Sequence, residues 1–384
     1  MAAPLASLLA AKEMVLVCGS GGVGKTTTAA AMGVAAAAQT KGRVLVLTID
    51  PARRLADALG VGALGNEATK VPKKAFKRAG LEPRGELWAA MLDTKAGWDE
   101  LIARHAPDVE LRDSVLANPL YQNITSRFVH SHDYLAMERL HELHASGEWD
   151  LIVVDTPPSR NAIAFLDAPG RMKEFFGSRL LKWLTVPYRS RLFTMASRPF
   201  YQVADRVLGS RFLQDIAEFF ILFQAMEGGF VRHAREVEAI LSDPRTTFVV
   251  VSTLEAAPAH EATYLARALD RRDLHLGAVV ANRILPRAFT SKAASQSARK
   301  MVQAADRSEV PDRLAVELGV EAGDVVAVLH DLGERFADLS VVASRERERH
   351  AELAELAPLV VPVPILDRDV NDLSDLAELA RSFG

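Results

Sequence analysis

One segment near the N-terminus restricts the fold more than any other. An apolar run rich in β-branched residues, Met14–Cys18, leads into Gly19-Ser20-Gly21-Gly22-Val23-Gly24-Lys25-Thr26, and an alanine-rich stretch follows to Ala38. The first run reads as a buried parallel strand and the last as a helix. Strand, glycine loop and helix in that order are what the pattern G-x-x-x-x-G-K-[ST] needs to hold a phosphate chain. The glycines let backbone N–H groups converge on phosphate oxygens with no Cβ in the way, and the helix N-terminus adds partial positive charge. Lys25 is expected at the β- and γ-phosphates and Thr26 at Mg²⁺, with Thr27 beside them in the nucleotide cradle. Cys18, at the strand end, reads as a buried, inert thiol.

Two further apolar runs end in acids. Arg43–Ile49 leads to Asp50-Pro51, and Leu151–Val154 leads to Asp155. In open α/β sheets, ligands bind outside the carboxyl ends of the strands. Lys25, Thr26, Asp50 and Asp155 are therefore expected on one edge. Asp155 is the candidate for orienting Mg²⁺, and Asp50 for aligning or deprotonating an attacking water while also facing the metal. Asp50 also suits a plain structural role as the N-cap of the helix that follows. The fold class expected is α/β: a doubly wound, mostly parallel sheet of the P-loop NTPase type with a helical insert subdomain.

The remaining motifs fall in a recognisable order. Asp50-Pro51-Ala52-Arg53-Arg54 has the form D-P-A-x-x, and Asp155-Thr156-Pro157-Pro158 has the form D-T-x-P, followed by Phe165, Leu166 and Pro169. Later come "VVVSTLEAAPAHEA" (249–262), "AVVANRILP" (278–286) and "VPVPILDRDVNDL" (361–373). Together these segments resemble the arsenical-pump and tail-anchored-protein-targeting ATPase family, among the dimeric P-loop ATPases that include MinD and nitrogenase iron protein. The resemblance covers nearly the whole chain. It implies an ATP-hydrolysing dimeric switch that uses ATP and Mg²⁺, with Asn282 and Pro364 on the adenine side and Glu255 near the dimer interface. It also implies a helical surface, gated by nucleotide state, for an apolar or membrane-linked client.

The departures from the family pattern matter as much. Members carry a second lysine just after the first loop glycine, reaching the partner's nucleotide; here that residue is Ser20. The second switch usually ends in Gly-His; here it reads Arg160-Asn161. A trans-acting cation supplies on the order of 10³–10⁵ in phosphoryl-transfer rate, and a serine hydroxyl cannot replace it. The resemblance to actinobacterial members that occur as two dissimilar paralogues implies a lysine-bearing paralogue as partner, in a heterodimer, or else a homodimer. Arg53 is the alternative source of the missing charge in cis. With Cys18 as the sole cysteine, the zinc clasp of the eukaryotic targeting factors and the cysteine metalloid site of arsenite pumps are both ruled out. Neither zinc nor arsenite is expected.

One P-loop domain over residues 1–384 is expected, with a helical subdomain built from inserts at about 95–146 and 170–242, where apolar residues recur at helical spacing. From Arg171 to Arg211 nine Lys/Arg face two acids; basic residues interleaved with aromatics suit a membrane surface or anionic partner, or simply a solvated helix face. The formal net charge of −3 gives no reason to expect nucleic acid. The N-terminus lacks a basic leader segment and reads as a short amphipathic helix. The longest uncharged stretch, Thr26–Thr40, falls short of the roughly 18 apolar residues a membrane span needs. A cytoplasmic protein, peripheral to the membrane at most, is expected. His130, His132, His141 and His144 read as surface or packing residues, "PRAFTSKAASQSARK" (286–300) as a mobile surface segment, and "SRERERH" (344–350) as a solvated helix face. A MinD- or ParA-like association protein with low turnover is the rival reading. The short acidic C-terminus lacks MinD's membrane helix, and no basic DNA-facing patch supports ParA.

Overall fold

The structure, a computed structural model, describes residues 5–49, 54–62, 64–92, 94–118, 121–122, 131–157, 163, 165–177, 219–222 and 224–383. The elements run in chain order as α1 (Leu5–Ala10), β1 (Met14–Gly19), α2 (Lys25–Gln39), β2 (Arg43–Thr48), α3 (Arg54–Leu59), β3 (Thr69–Lys70), α4 (Lys73–Arg78), β4 (Glu86–Met91), α5 (Thr94–His105), α6 (Val109–Ala117) and α7 (Ser131–Ala145). They continue with β5 (Leu151–Asp155), α8 (Ala168–Gly177), α9 (Glu227–Leu241), β6 (Thr246–Ser252), α10 (Ala256–Asp270), β7 (Leu276–Ile284), α11 (Lys292–Arg307), α12 (Val310–Leu318), α13 (Ala322–Ala354), β8 (Val360–Pro364) and α14 (Leu373–Ala380).

The eight strands form one sheet in the order β3-β4-β2-β5-β1-β6-β7-β8. Every pairing is parallel except that of β3 with β4. This is the expected doubly wound α/β sheet. The central strands read as continuous apolar runs because both faces are covered. Alternation along each strand decides which side chain goes to which face. Met14, Leu16 and Cys18 of β1 join Leu45, Leu47, Ile152 and Val154 in one core, against Met137, Phe230 and Leu265 from helices. Val15, Val17, Val44, Val46 and Val153 pack on the other side, with Leu5 and Leu9 of α1, the alanines of α2 and Leu376 of α14. The alanines suit that position because small side chains let a helix approach the sheet closely.

Helices α5 to α9 occupy the two expected insert regions. Residues 178–218 lie outside the described residues, and with them all of the basic Arg171–Arg211 run after Gly177. Within the described part, Lys173 Nζ donates to Glu238 Oε2 at 2.6 Å, so one of those cations is spent on an internal contact. Among the described residues no helix is long and apolar enough to cross a membrane.

Two sequence expectations are refined. Residues 286–300, at the surface as expected, carry regular structure: a short 3-10 turn, Arg287–Thr290, leads into α11, whose N-terminus is capped by Ser291 accepting from Ala294 N. The stretch holds its helix by packing along α13 (Val302 and Phe336 line their shared groove), which a local reading of small polar residues does not reveal. Residues 344–350 are not merely solvated. Glu346 accepts from Leu285 N at 3.1 Å and Arg349 donates to Leu254 O at 2.7 Å. Two charges of that helix thus tie α13 to the ends of β7 and β6.

Candidate functional site

The loop sits at the carboxyl end of β1, in the middle of the sheet. Gly24 stands at the N-cap of α2 with φ 93°, a left-handed conformation that favours glycine. A Cβ there would also lie 2.5 Å from Asn282 Nδ2. That clash marks a close approach with a purpose: Asn282 Nδ2 donates to Val23 O at 2.7 Å. The end of β7 therefore holds the loop from beside. Asn282 Oδ1 accepts from Arg283 N at 3.0 Å, and Arg283 has φ 58°, an uncommon conformation for a non-glycine residue. Asn282, the residue expected on the adenine side, bonds through its amide to the loop backbone.

Lys25, the first residue of α2, is buried, and its Nζ donates to Ser20 O at 2.9 Å. The ammonium is thus folded back over the loop it belongs to. Thr26 Oγ1 donates to Asp155 Oδ2 at 2.6 Å, and Thr48 Oγ1 donates to the same oxygen at 3.0 Å. Strand register explains the meeting: Asp155 pairs with Val17 of β1 and with Thr48 of β2. The ends of β2 and β5 and the first turn of α2 thus gather the carboxylate and two hydroxyls, with Asp155 and Thr48 each only 1% exposed and Thr26 half-buried. Thr48 is absent from the sequence reading. Its signal was its place two residues before Asp50, at the end of an apolar strand.

The other predicted residues fall around this point. Thr27 is half-buried in the first turn of α2. Pro364 ends β8 opposite Ile284 of β7, and Ile365 N donates to Ile284 O at 3.0 Å. Pro364 and Asn282 thus lie near the ends of adjacent strands. Glu255 is exposed at the N-cap position of α10 and makes no side-chain cap bond among the described residues. Asp50, Pro51, Ala52 and Arg53 lie outside the described residues, as do Pro158, Arg160 and Asn161. Ile49, just before Asp50, donates its N–H to Asp155 O at 3.2 Å, so the strand end leading to Asp50 is tied to Asp155.

The donor set fits a nucleotide phosphate chain. Ser20 Oγ is buried without a hydrogen-bond partner among the described residues. A Cβ built at Gly21 or Gly22 would meet no described atom within 4 Å, so the loop's backbone presents itself outward. One ammonium, a hydroxyl–carboxylate pair and a helix N-terminus converge there, the combination that binds a polyanion together with a hard divalent cation.

Cys18 has no part in this chemistry. Burial is the main cause that pushes its thiol up to about 11, against the opposing effect of the Thr156 hydroxyl. In the folded protein it should react with maleimide or a disulfide reagent far more slowly than in denaturant. Equal rates in the two states would show the thiol to be accessible.

Of the four histidines noted in the sequence, His130 lies outside the described residues and the side chain of His132 is not described. His144 Nε2 is 3.5 Å from Glu13, and His141 Nε2 is 3.2 Å from Glu236. Glu138, invisible to the sequence reading, is buried beside Tyr134, His105 and His233. Burial would raise its pKa, but those three partners hold the carboxyl down to about 2.

Comparison with known proteins agrees with this geometry. A family model described as "Anion-transporting ATPase" matches residues 12–315. The chain is similar to "ATPase GET3" of Malassezia globosa, 27% identical over 305 residues, which is 79% of this chain and 82% of that protein. It is similar to "Uncharacterized protein SCO2128" of Streptomyces coelicolor, 30% identical over 276 residues, covering 71% of this chain and 62% of that protein. It is also similar to "ATPase get3" of Schizosaccharomyces pombe, 25% identical over 294 residues, covering 76% and 79%.

Proposed function

This chain belongs to the anion-transporting ATPase family, and on that premise we propose that it is a dimeric switch driven by ATP binding and hydrolysis. Its relatives make it a nucleotide-dependent ATPase; the finer assignments are ours. The observation that carries them is the direct Thr26–Asp155 contact beside a lysine-bearing glycine loop. Thr26 and Asp155 would hold Mg²⁺, which when bound supplies positive charge against the phosphates. Lys25 exchanges its bond to Ser20 O for phosphate oxygens. Asp50 aligns the attacking water and accepts its proton. Asn282 and Pro364, near the ends of β7 and β8, flank the adenine, and Asn282 releases Val23 O when it turns to the base. Glu255 meets the partner subunit. The stretches after Asp50 and Asp155 respond to nucleotide state and lead into the helical layer, so that ATP governs a surface for an apolar or membrane-linked client.

The reading is tested first by binding. Lys25→Ala removes a charge-assisted contact to phosphate, worth about 1.5–3 kcal/mol. Affinity for a fluorescent ATP analogue should fall roughly 10–100-fold, with the thermal transition kept. Wild-type protein with no measurable affinity for adenine nucleotides would overturn the assignment, and so would unchanged affinity in the variant.

A further inference from the structure

The helical layer holds a second convergence of ligating atoms. His105 ends α5, Glu138 lies midway along α7 and His233 lies in the second turn of α9. Glu138 Oε2 is 2.9 Å from His233 Nδ1 and 3.6 Å from His105 Nε2. One ligand atom from each of the three lies within 4.8 Å of the others. We propose that His105, Glu138 and His233 form a site for a zinc-type divalent transition-metal ion, separate from the phosphate loop.

Three features support the assignment. The first is spacing: tetrahedral bonds of about 2.0–2.2 Å put neighbouring donors roughly 3.3–3.5 Å apart, and the two carboxylate–imidazole separations, 2.9 and 3.6 Å, lie either side of that range. The second is an unmet need. The His105 side chain is 2% exposed, and its Nε2 has no hydrogen-bond partner among the described residues. That nitrogen faces a carboxylate oxygen at 3.6 Å, too far for a hydrogen bond. Glu138 Oε2 already has His233 Nδ1 at hydrogen-bond distance, so the unmet need is that of His105 Nε2, which a cation on the shared oxygen would satisfy. The third is the surrounding support. The Tyr134 hydroxyl donates to Glu138 Oε1, which leaves Oε2 turned to the imidazoles. Metal-bound carboxylates are held by hydrogen bonds of this kind. Glu236 Oε2 lies 3.9 Å from His233 Nε2, the ring nitrogen opposite the ligating one, as a neighbouring charge and not a hydrogen-bond partner. Gly229 lets the backbone at the start of α9 press on the His105 ring, since a Cβ there would lie 2.6 Å from Nδ1.

Two imidazole nitrogens and one carboxylate suit Zn²⁺ over Mg²⁺ or Ca²⁺, which prefer all-oxygen sets. The sequence expectation of no zinc rests on the missing cysteine clasp, a different donor set. An ion here joins α5, α7 and α9, helices drawn from both insert regions. Helix α7 leads into the start of β5, whose far end carries Asp155, so an ion here braces a helix that adjoins the strand bearing that carboxylate.

The test uses tag-free, full-length protein stripped with chelator and free of nucleotide. Titration with Co²⁺ should give saturable visible d–d bands at one ion per chain, abolished by stoichiometric Zn²⁺, and Zn²⁺ should raise the melting temperature. His233→Ala and Glu138→Gln should lose the bands, and Tyr134→Phe should weaken affinity about 10–100-fold. His144→Ala, a histidine outside the set, should keep them. The wild-type titration needs no variant to fold: a well-folded sample without a saturable Co²⁺ signal overturns the proposal. Bands that survive both ligand substitutions, or vanish with His144→Ala, overturn it as well.

Discussion

An Asp50→Asn variant should bind ATP as tightly as the unaltered protein and hydrolyse it about 10²–10⁴ times more slowly, the usual contribution of a positioned acid–base group. The two side chains are nearly the same size, so the substitution removes the charge and the proton acceptor while keeping the shape. The strand leading to Asp50 is well fixed: Thr48 and Ile49 both bond to Asp155, through its side chain and its backbone carbonyl. A change at the next residue is therefore expected to act on chemistry and leave the Thr26–Asp155 contact in place. Phosphate release and analogue binding, measured on one preparation, separate the two effects. The competing role for Asp50 is helix capping. Asn caps as well as Asp, whereas Ala does not, at a cost of about 0.5–2 kcal/mol. If capping were its whole role, Asp50→Asn would turn over normally and Asp50→Ala would only melt earlier.

What the sequence made legible follows from how local each signal is. The loop, β1, β2, β5 and their terminal residues could be read because a phosphate site is written into consecutive residues and apolar strands announce themselves. Thr26 and Asp155 are 129 positions apart, yet their meeting was foreseeable, since parallel strands bring their carboxyl ends to one edge. Thr48 escaped because a threonine in a β-strand looks like strand propensity alone. The contact of Asn282 with the Val23 carbonyl escaped because a resemblance names a ligand and not the resting contact. His105, Glu138 and His233 come from three helices, and no pattern in one helix predicts which residues of another it will meet. The helix in residues 286–300 escaped for a related reason. It depends on α13, more than twenty residues further on, and lone propensity in a small-residue stretch is weak.

Mixed with a lysine-bearing paralogue, this chain should hydrolyse ATP on the order of 10³–10⁵ times faster than alone. Ser20 still serves its own loop. Its backbone carbonyl braces Lys25 Nζ at 2.9 Å, a task indifferent to the side chain at that position. Its hydroxyl is buried without a partner among the described residues, so it supplies neither charge nor reach toward a second subunit. On the proposed reading the loop keeps what its own nucleotide needs and lacks the cation it would lend its partner's. In a homodimer both sites lack the trans cation; in the mixed dimer this chain's site gains one. Ser20→Lys in the isolated chain should recover part of the rate by the same logic, provided two copies associate. Arg53 offers a rival source of charge within the chain, and the comparison decides between them. If the isolated chain already turns over at the accelerated rate and slows on Arg53→Ala, the cation is its own and the paralogue is unnecessary. If Arg53→Ala changes nothing and the paralogue still accelerates, the charge comes from across the interface.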